Sequence, residues 1–146
     1  MPDPEVLDAL LVDRGRLKAV FDIDPTCPGS ALAFQFETGI TIASVTPLDA
    51  VALADVGVAL PDDPSAHHTL AALRGGDTRE LVALTPDHPW STLVDNSVIW
   101  AWNLTNNQGY CDGVQLEFIE AESQATTTIL QLMAEGGRFS FRFFQP

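Results

Sequence analysis

Apolar residues recur at every second position over most of this chain, and at helical spacing only near its start. Leu17, Ala19, Phe21 and Ile23 share one parity, with Lys18 and Asp22 on the other. A period of two is what a half-buried strand writes into a sequence. Leu32, Phe34 and Phe36 then alternate with Ala33, Gln35 and Glu37, Thr38-Gly39 makes a tight turn, and Ile40 to Val45 runs back as the second arm of a hairpin. Pro47 ends that arm, and a further strand is expected from Ala50 to Val56. In the second half Val98, Trp100, Trp102 and Leu104 share a face, as do Val114, Leu116 and Phe118 on the strand that follows. Thr126 to Ala134 is strand-like through its consecutive β-branched residues. Glu135-Gly136-Gly137 turns it back into Phe139, Phe141 and Phe143, with Ser140 and Arg142 on the other side.

Helical signals are brief. Asp3 is a suitable N-cap, Pro4 fits the first helical position, and Val6, Leu7, Leu10 and Leu11 fall on one face. Gly15 stands where a C-capping glycine would. In the middle of the chain Asp63 can cap a second short helix from Pro64 to Leu73, closed by Gly75-Gly76. Arg79 to Leu84 fits a short strand or a helical turn equally well, and Pro86 and Pro89 make the next stretch a loop. The order is strands, then helix and loop, then strands, which is not a βαβ alternation. The expected fold is therefore mostly β (α+β on a strict count): a β-sandwich or a rolled, barrel-like antiparallel sheet with one or two short helices.

Composition narrows the function classes. The 146 residues make one ordinary domain, residues 1-146, and 46% of them are hydrophobic, enough for a core without a metal or a disulfide. Twenty acidic side chains stand against seven Lys and Arg, a net charge of −13. Such a chain repels phosphate backbones and anionic membranes, so neither nucleic acid nor a membrane surface is an expected partner. A basic protein is, because an acidic surface speeds encounter with one; solubility alone is the simpler explanation of the same charge. The acidic N-terminus lacks the features of a signal peptide, and no apolar run reaches the ~20 residues that span a bilayer. A cytoplasmic monomer is the expectation. Cys27 and Cys111 lie 84 positions apart, outside any redox or zinc spacing, and are expected as free thiols.

The most distinctive run is Trp100 to Gly113, in which a Trp-rich strand meets a loop of Asn106, Asn107, Gln108, Gly109, Tyr110, Cys111, Asp112 and Gly113. Asn, Asp and Gly suit a shaped turn, since they tolerate left-handed backbone. The same residues suit a ligand site, with Tyr110 and the tryptophans stacking on a ring while Asn106, Asn107, Gln108 and Asp112 supply hydrogen bonds. Alternation alone puts Trp100 and Trp102 with Val98 and Leu104, which reads as core. A Trp, an Asn, Gln108-Gly109-Tyr110, Asp112-Gly113, Gln115 and Phe118 together resemble a family of small bacterial proteins of unknown function, similar in length to this chain. The resemblance implies a shared fold and a bacterial source. It implies no activity and no catalytic residue.

Catalytic signatures are missing. No spacing links Cys27 or Cys111 to His67, His68 or His88 as a nucleophile and its base, and no Gly-x-Ser-x-Gly elbow occurs. Adjacent His67 and His68 would diverge by about 100° on a helix, a poor geometry for one ion. Gly75-Gly76 is not followed by a phosphate-loop lysine. No catalytic residue, metal or cofactor is expected. A non-catalytic interaction protein, such as an acidic inhibitor or immunity-type partner of a basic protein, leads. A sugar-like ligand or enzyme site around Trp100 to Asp112, and an accessory domain without a discrete site, are the alternatives.

Overall fold

The computed structural model describes residues 4–12, 14–24, 27–55, 81–105, 111–120 and 127–144. A helix, α1 (Pro4–Val12), leads into strands β1 (Leu17–Asp22), β2 (Ala31–Phe36), β3 (Ile40–Val45), β4 (Val51–Asp55) and β5 (Val82–Ala83). A single 3-10 turn (Trp90–Leu93) precedes β6 (Asn96–Thr105), β7 (Cys111–Glu120), β8 (Thr127–Glu135) and β9 (Arg138–Phe144). The strands form two antiparallel sheets, in the orders β4-β3-β2-β1-β5 and β6-β7-β8-β9. The fold is mostly β and sandwich-like, and among the described residues no closed barrel forms. The ambiguous stretch before Leu84 contains the short strand β5, paired to β1 through Phe21↔Ala83. The helix expected from Pro64 to Leu73 lies outside the described residues.

The core lies between the sheets. Leu17, Val20, Leu32 and Phe34 face Val98, Leu116, Phe118 and Leu130, all at most 3% exposed. At 25 cal/mol per Å2 of apolar surface removed from water, each such side chain contributes about 1.5–3 kcal/mol before chain entropy is counted. Two elements close the sides. Helix α1 buries Val6 and Leu10 and contacts β4 and β6, one edge strand from each sheet. On the other side Trp90 is buried and meets Phe141 and Phe143 of the edge strand β9 edge-on, each at 4.9 Å between ring centroids. The outer face of the first sheet is also apolar and buried, through Phe21, Ala33, Ile40 and Ile42. Among the described residues no helix is long and apolar enough to cross a membrane.

The hairpins close as their turn residues dictate. Gly136 and Gly137 take φ of +63° and +81°, the pair of left-handed conformations that a tight two-residue β-turn requires and glycine supplies without strain. Alternation fails, however, in the leading strand of each sheet. In β1 the register shifts between Leu17 and Ala19, so Lys18 is an extra residue against β2. Leu17 and Val20 therefore point into the core, while Ala19 and Phe21 belong to the outer cluster. The expected grouping of Leu17 with Ala19, Phe21 and Ile23 is corrected accordingly. A bulge of this kind inserts one residue in one strand and inverts the parity of every side chain beyond it.

Candidate functional site

The second bulge builds the most conspicuous surface of the molecule. In β6 Val98 pairs with Phe118, but Trp100 pairs with Glu117, so Ile99 is the extra residue. Val98 is 2% exposed, whereas Trp100 is 57% and Trp102 40% exposed. Ala101, between the tryptophans, packs on the core instead. The expectation that Trp100 and Trp102 are core residues is thus overturned, and the physical reason is the parity change at Ile99. Their rings stack on each other, with centroids 6.3 Å apart and planes 28° from parallel, inside the usual range for an aromatic pair.

Cross-strand register supplies the surroundings. Trp100 stands opposite Glu117, which stands opposite Ile129, which stands opposite Phe144. Trp102 begins the next row, through Gln115 and Gln131 to Arg142. The third row is Leu104, Gly113, Met133 and Ser140. Gly113 has no side chain because none fits: a Cβ there would lie 2.9 Å from the Leu132 carbonyl oxygen and 3.2 Å from Leu104 Cδ1. Gln131 Nε2 donates to Gln115 Oε1 at 3.2 Å, which ties the two amides into one wall of the face. Glu117 is half-buried, and among the described residues no hydrogen bond or ion pair engages its carboxylate. Arg142 is exposed. Among the described residues the face thus combines two wet indoles, a hydrogen-bonded pair of amides, the Glu117 carboxylate and, at the far edge strand, the Arg142 cation.

Of the loop residues expected at a ligand site, Asp112 is the one that is described. It is the extra residue of a further irregularity, where Leu104 pairs with Gly113 but Thr105 with Cys111, and it is half-buried. It lies roughly 10 Å along β7 from Gln115, at the strand rise of about 3.4 Å per residue. Asn106, Asn107, Gln108 and Tyr110 lie outside the described residues. Sequence reasoning missed Gln115, Gln131 and Arg142 as members of this face. Their parity along each strand was readable, but which of them share a row depends on register.

Other polar groups serve the fold. Asp22 accepts from Gly29 N–H at 2.9 Å, and Asp24 accepts from Ser30 Oγ at 3.0 Å, so these acids shape the β1–β2 loop. Cys27 is a free thiol. Lys18 and Asp95 form an ion pair at 2.8 Å, and the Lys18 hydrogen bond, reinforced by its charge, holds the Asp95 carboxyl below its ordinary pKa. Among the described residues no group of His, Cys, Asp and Glu is placed to hold a metal ion.

A two-sheet β protein with an aromatic and polar sheet face turned to solvent belongs to a broad class whose members differ widely in function. The chain belongs to a family of unknown function, DUF6334, whose model matches residues 1–146. The comparisons found no significant match among curated proteins or solved structures.

Proposed function

We propose that this is a non-catalytic binding protein that captures a basic protein partner through the outer face of the β6–β9 sheet. The observation that carries the reading is the exposure of Trp100 and Trp102 side by side on a regular sheet. Leaving two indoles in water forgoes burial energy that the core would have provided. Tryptophan is also the side chain most enriched among residues that dominate protein interfaces. The net charge of −13 supports a basic partner, since complementary fields raise association rates and discourage wrong partners. A sugar-like ligand is the second reading, supported by the linked Gln115 and Gln131 amides beside the rings.

The test is affinity capture from the native cell with the wild-type chain and a Trp100→Ala/Trp102→Ala variant. The expected result is a protein of high isoelectric point, retained at low salt, released as salt rises, and not retained by the variant. Capture that is independent of the two tryptophans, or of an acidic protein, overturns the reading. A glycan titration that the variant abolishes, with no protein retained, favours the second reading in its place.

A further inference from the structure

We propose that Trp100 and Glu117 together form a receptor for a single cationic side chain, with arginine as the preferred occupant. The inference rests on the proposed function and specifies what the partner presents to this face. The two residues are direct neighbours across the antiparallel pair β6–β7, a relationship that sets Cβ atoms about 4.5–5.5 Å apart. A planar guanidinium can therefore lie against the indole and turn its N–H groups to the carboxylate at the same time. The ring attracts a cation through its quadrupole, and the carboxylate accepts charge-assisted hydrogen bonds from the forked donors.

Three features favour this occupant. Glu117 is half-buried, and among the described residues no donor engages its carboxylate, so a cation brought by a partner has an acceptor to meet there. The face's own cation, Arg142, is on β9, two strands from Glu117 on β7 and one row along, so at about 4.8 Å per strand and about 3.4 Å per residue its backbone is roughly 12 Å from that of Glu117. The neighbouring Gln115 carbonyl oxygen is already occupied by Gln131, so the amides are held as a neutral wall and leave the carboxylate as the acceptor. Arginine is preferred to lysine because only the planar fork satisfies ring and carboxylate together.

Titration calorimetry with octa-arginine and octa-lysine peptides tests the site. Octa-arginine is expected to bind the wild-type chain more tightly than octa-lysine does. Glu117→Gln and Trp100→Ala are each expected to weaken octa-arginine binding by about tenfold, the cost of losing one charge-assisted or cation–π contact. Trp100→Phe, which keeps a ring, should retain part of the affinity. Glu135→Gln removes the same charge from the β8–β9 hairpin, roughly 20 Å along β8 from the row of Glu117, and should leave binding within about twofold. Equal losses from Glu117→Gln and Glu135→Gln would reduce the effect to overall charge and overturn the site, as would absence of octa-arginine binding. If a basic partner is captured through the tryptophans while Glu117→Gln behaves as wild type, this site falls and the proposed function stands. If octa-arginine binds through Trp100 and Glu117 but no basic partner is captured, the site stands and the proposed function falls.

Discussion

The backbone N–H of Gly137 donates a hydrogen bond of 2.8 Å to the carboxylate of Asp49, 88 positions earlier in the chain. The N–H of Gly136 donates to the second carboxylate oxygen at 2.9 Å. Asp49 thereby fastens the β3–β4 turn of one sheet to the β8–β9 turn of the other, and it does so from a left-handed backbone with φ of 59°. Asp49→Ala removes both acceptors and leaves a residue less tolerant of that φ, and is expected to cost about 1–2 kcal/mol, at the low end for two charge-assisted bonds because the site is exposed. Asp49→Asn keeps the conformational tolerance and one acceptor and should cost less. Urea denaturation of both variants checks the order.

Trp90 and Trp100 should differ sharply on truncation. Trp90 is 4% exposed and fills the side of the sandwich against β9. Trp90→Ala is expected to cost about 3–5 kcal/mol. Trp100→Ala should cost less than about 1 kcal/mol, as an exposed ring contributes little to folding. Equilibrium unfolding of the two variants decides this, and a large loss at Trp100 would return that ring to the core.

Thr41 offers a gain rather than a loss. It is 1% exposed on the inner face of β3, opposite Phe34, and its hydroxyl has no hydrogen-bond partner among the described residues. Thr41→Val keeps the shape and removes an unsatisfied buried donor, so stability is expected to rise by about 0.5–2 kcal/mol. A higher melting temperature in calorimetry is the readout.

The pH dependence of the Lys18–Asp95 pair has a definite sign. The folded pKa of Asp95 is depressed by the Lys18 hydrogen bond and charge. Its contribution to stability is therefore present above the ordinary carboxylate pKa and is lost as pH falls through the folded value. Lys18→Met, which replaces the only lysine in the chain, should move the Asp95 carboxyl back up toward its ordinary range. Carboxyl-carbon NMR titration of the two proteins measures the shift directly.

Much of this architecture was readable in the alternation of side chains. The β2–β3 and β8–β9 hairpins and the inward faces of Val114, Leu116 and Phe118 follow from period two and turn residues, because those two hairpins pair in unbroken register and β7 has no extra residue beyond Gly113. The faces of β1 and β6 were misread for one physical reason. Leu17, Ala19 and Phe21, like Val98, Trp100 and Trp102, stay apolar at alternate positions straight through the bulge, so hydrophobicity carries no mark of the extra residue. The outer face of the β6–β9 sheet was hidden with it. Its indoles looked like core, and the row joining Trp102 to Gln115, Gln131 and Arg142 exists only once four strands are aligned.

Ile99 makes β6 a strand of two halves with separate obligations. Residues up to Val98 answer to the interior, where a change of volume disturbs close-packed neighbours. Beyond the extra residue, Trp100 and Trp102 answer to solvent and to whatever docks there. Substitutions at these two positions are therefore expected to weigh less on folding than those on the inner half of the strand. Excising Ile99 would leave both faces as they are: Val98 would still stand opposite Phe118, Trp100 would follow directly opposite Glu117, and the indoles would stay outside while Ala101 stayed inside. The extra residue lets an apolar position at every second place in the sequence serve two opposite faces of the sheet, which a regular strand cannot do.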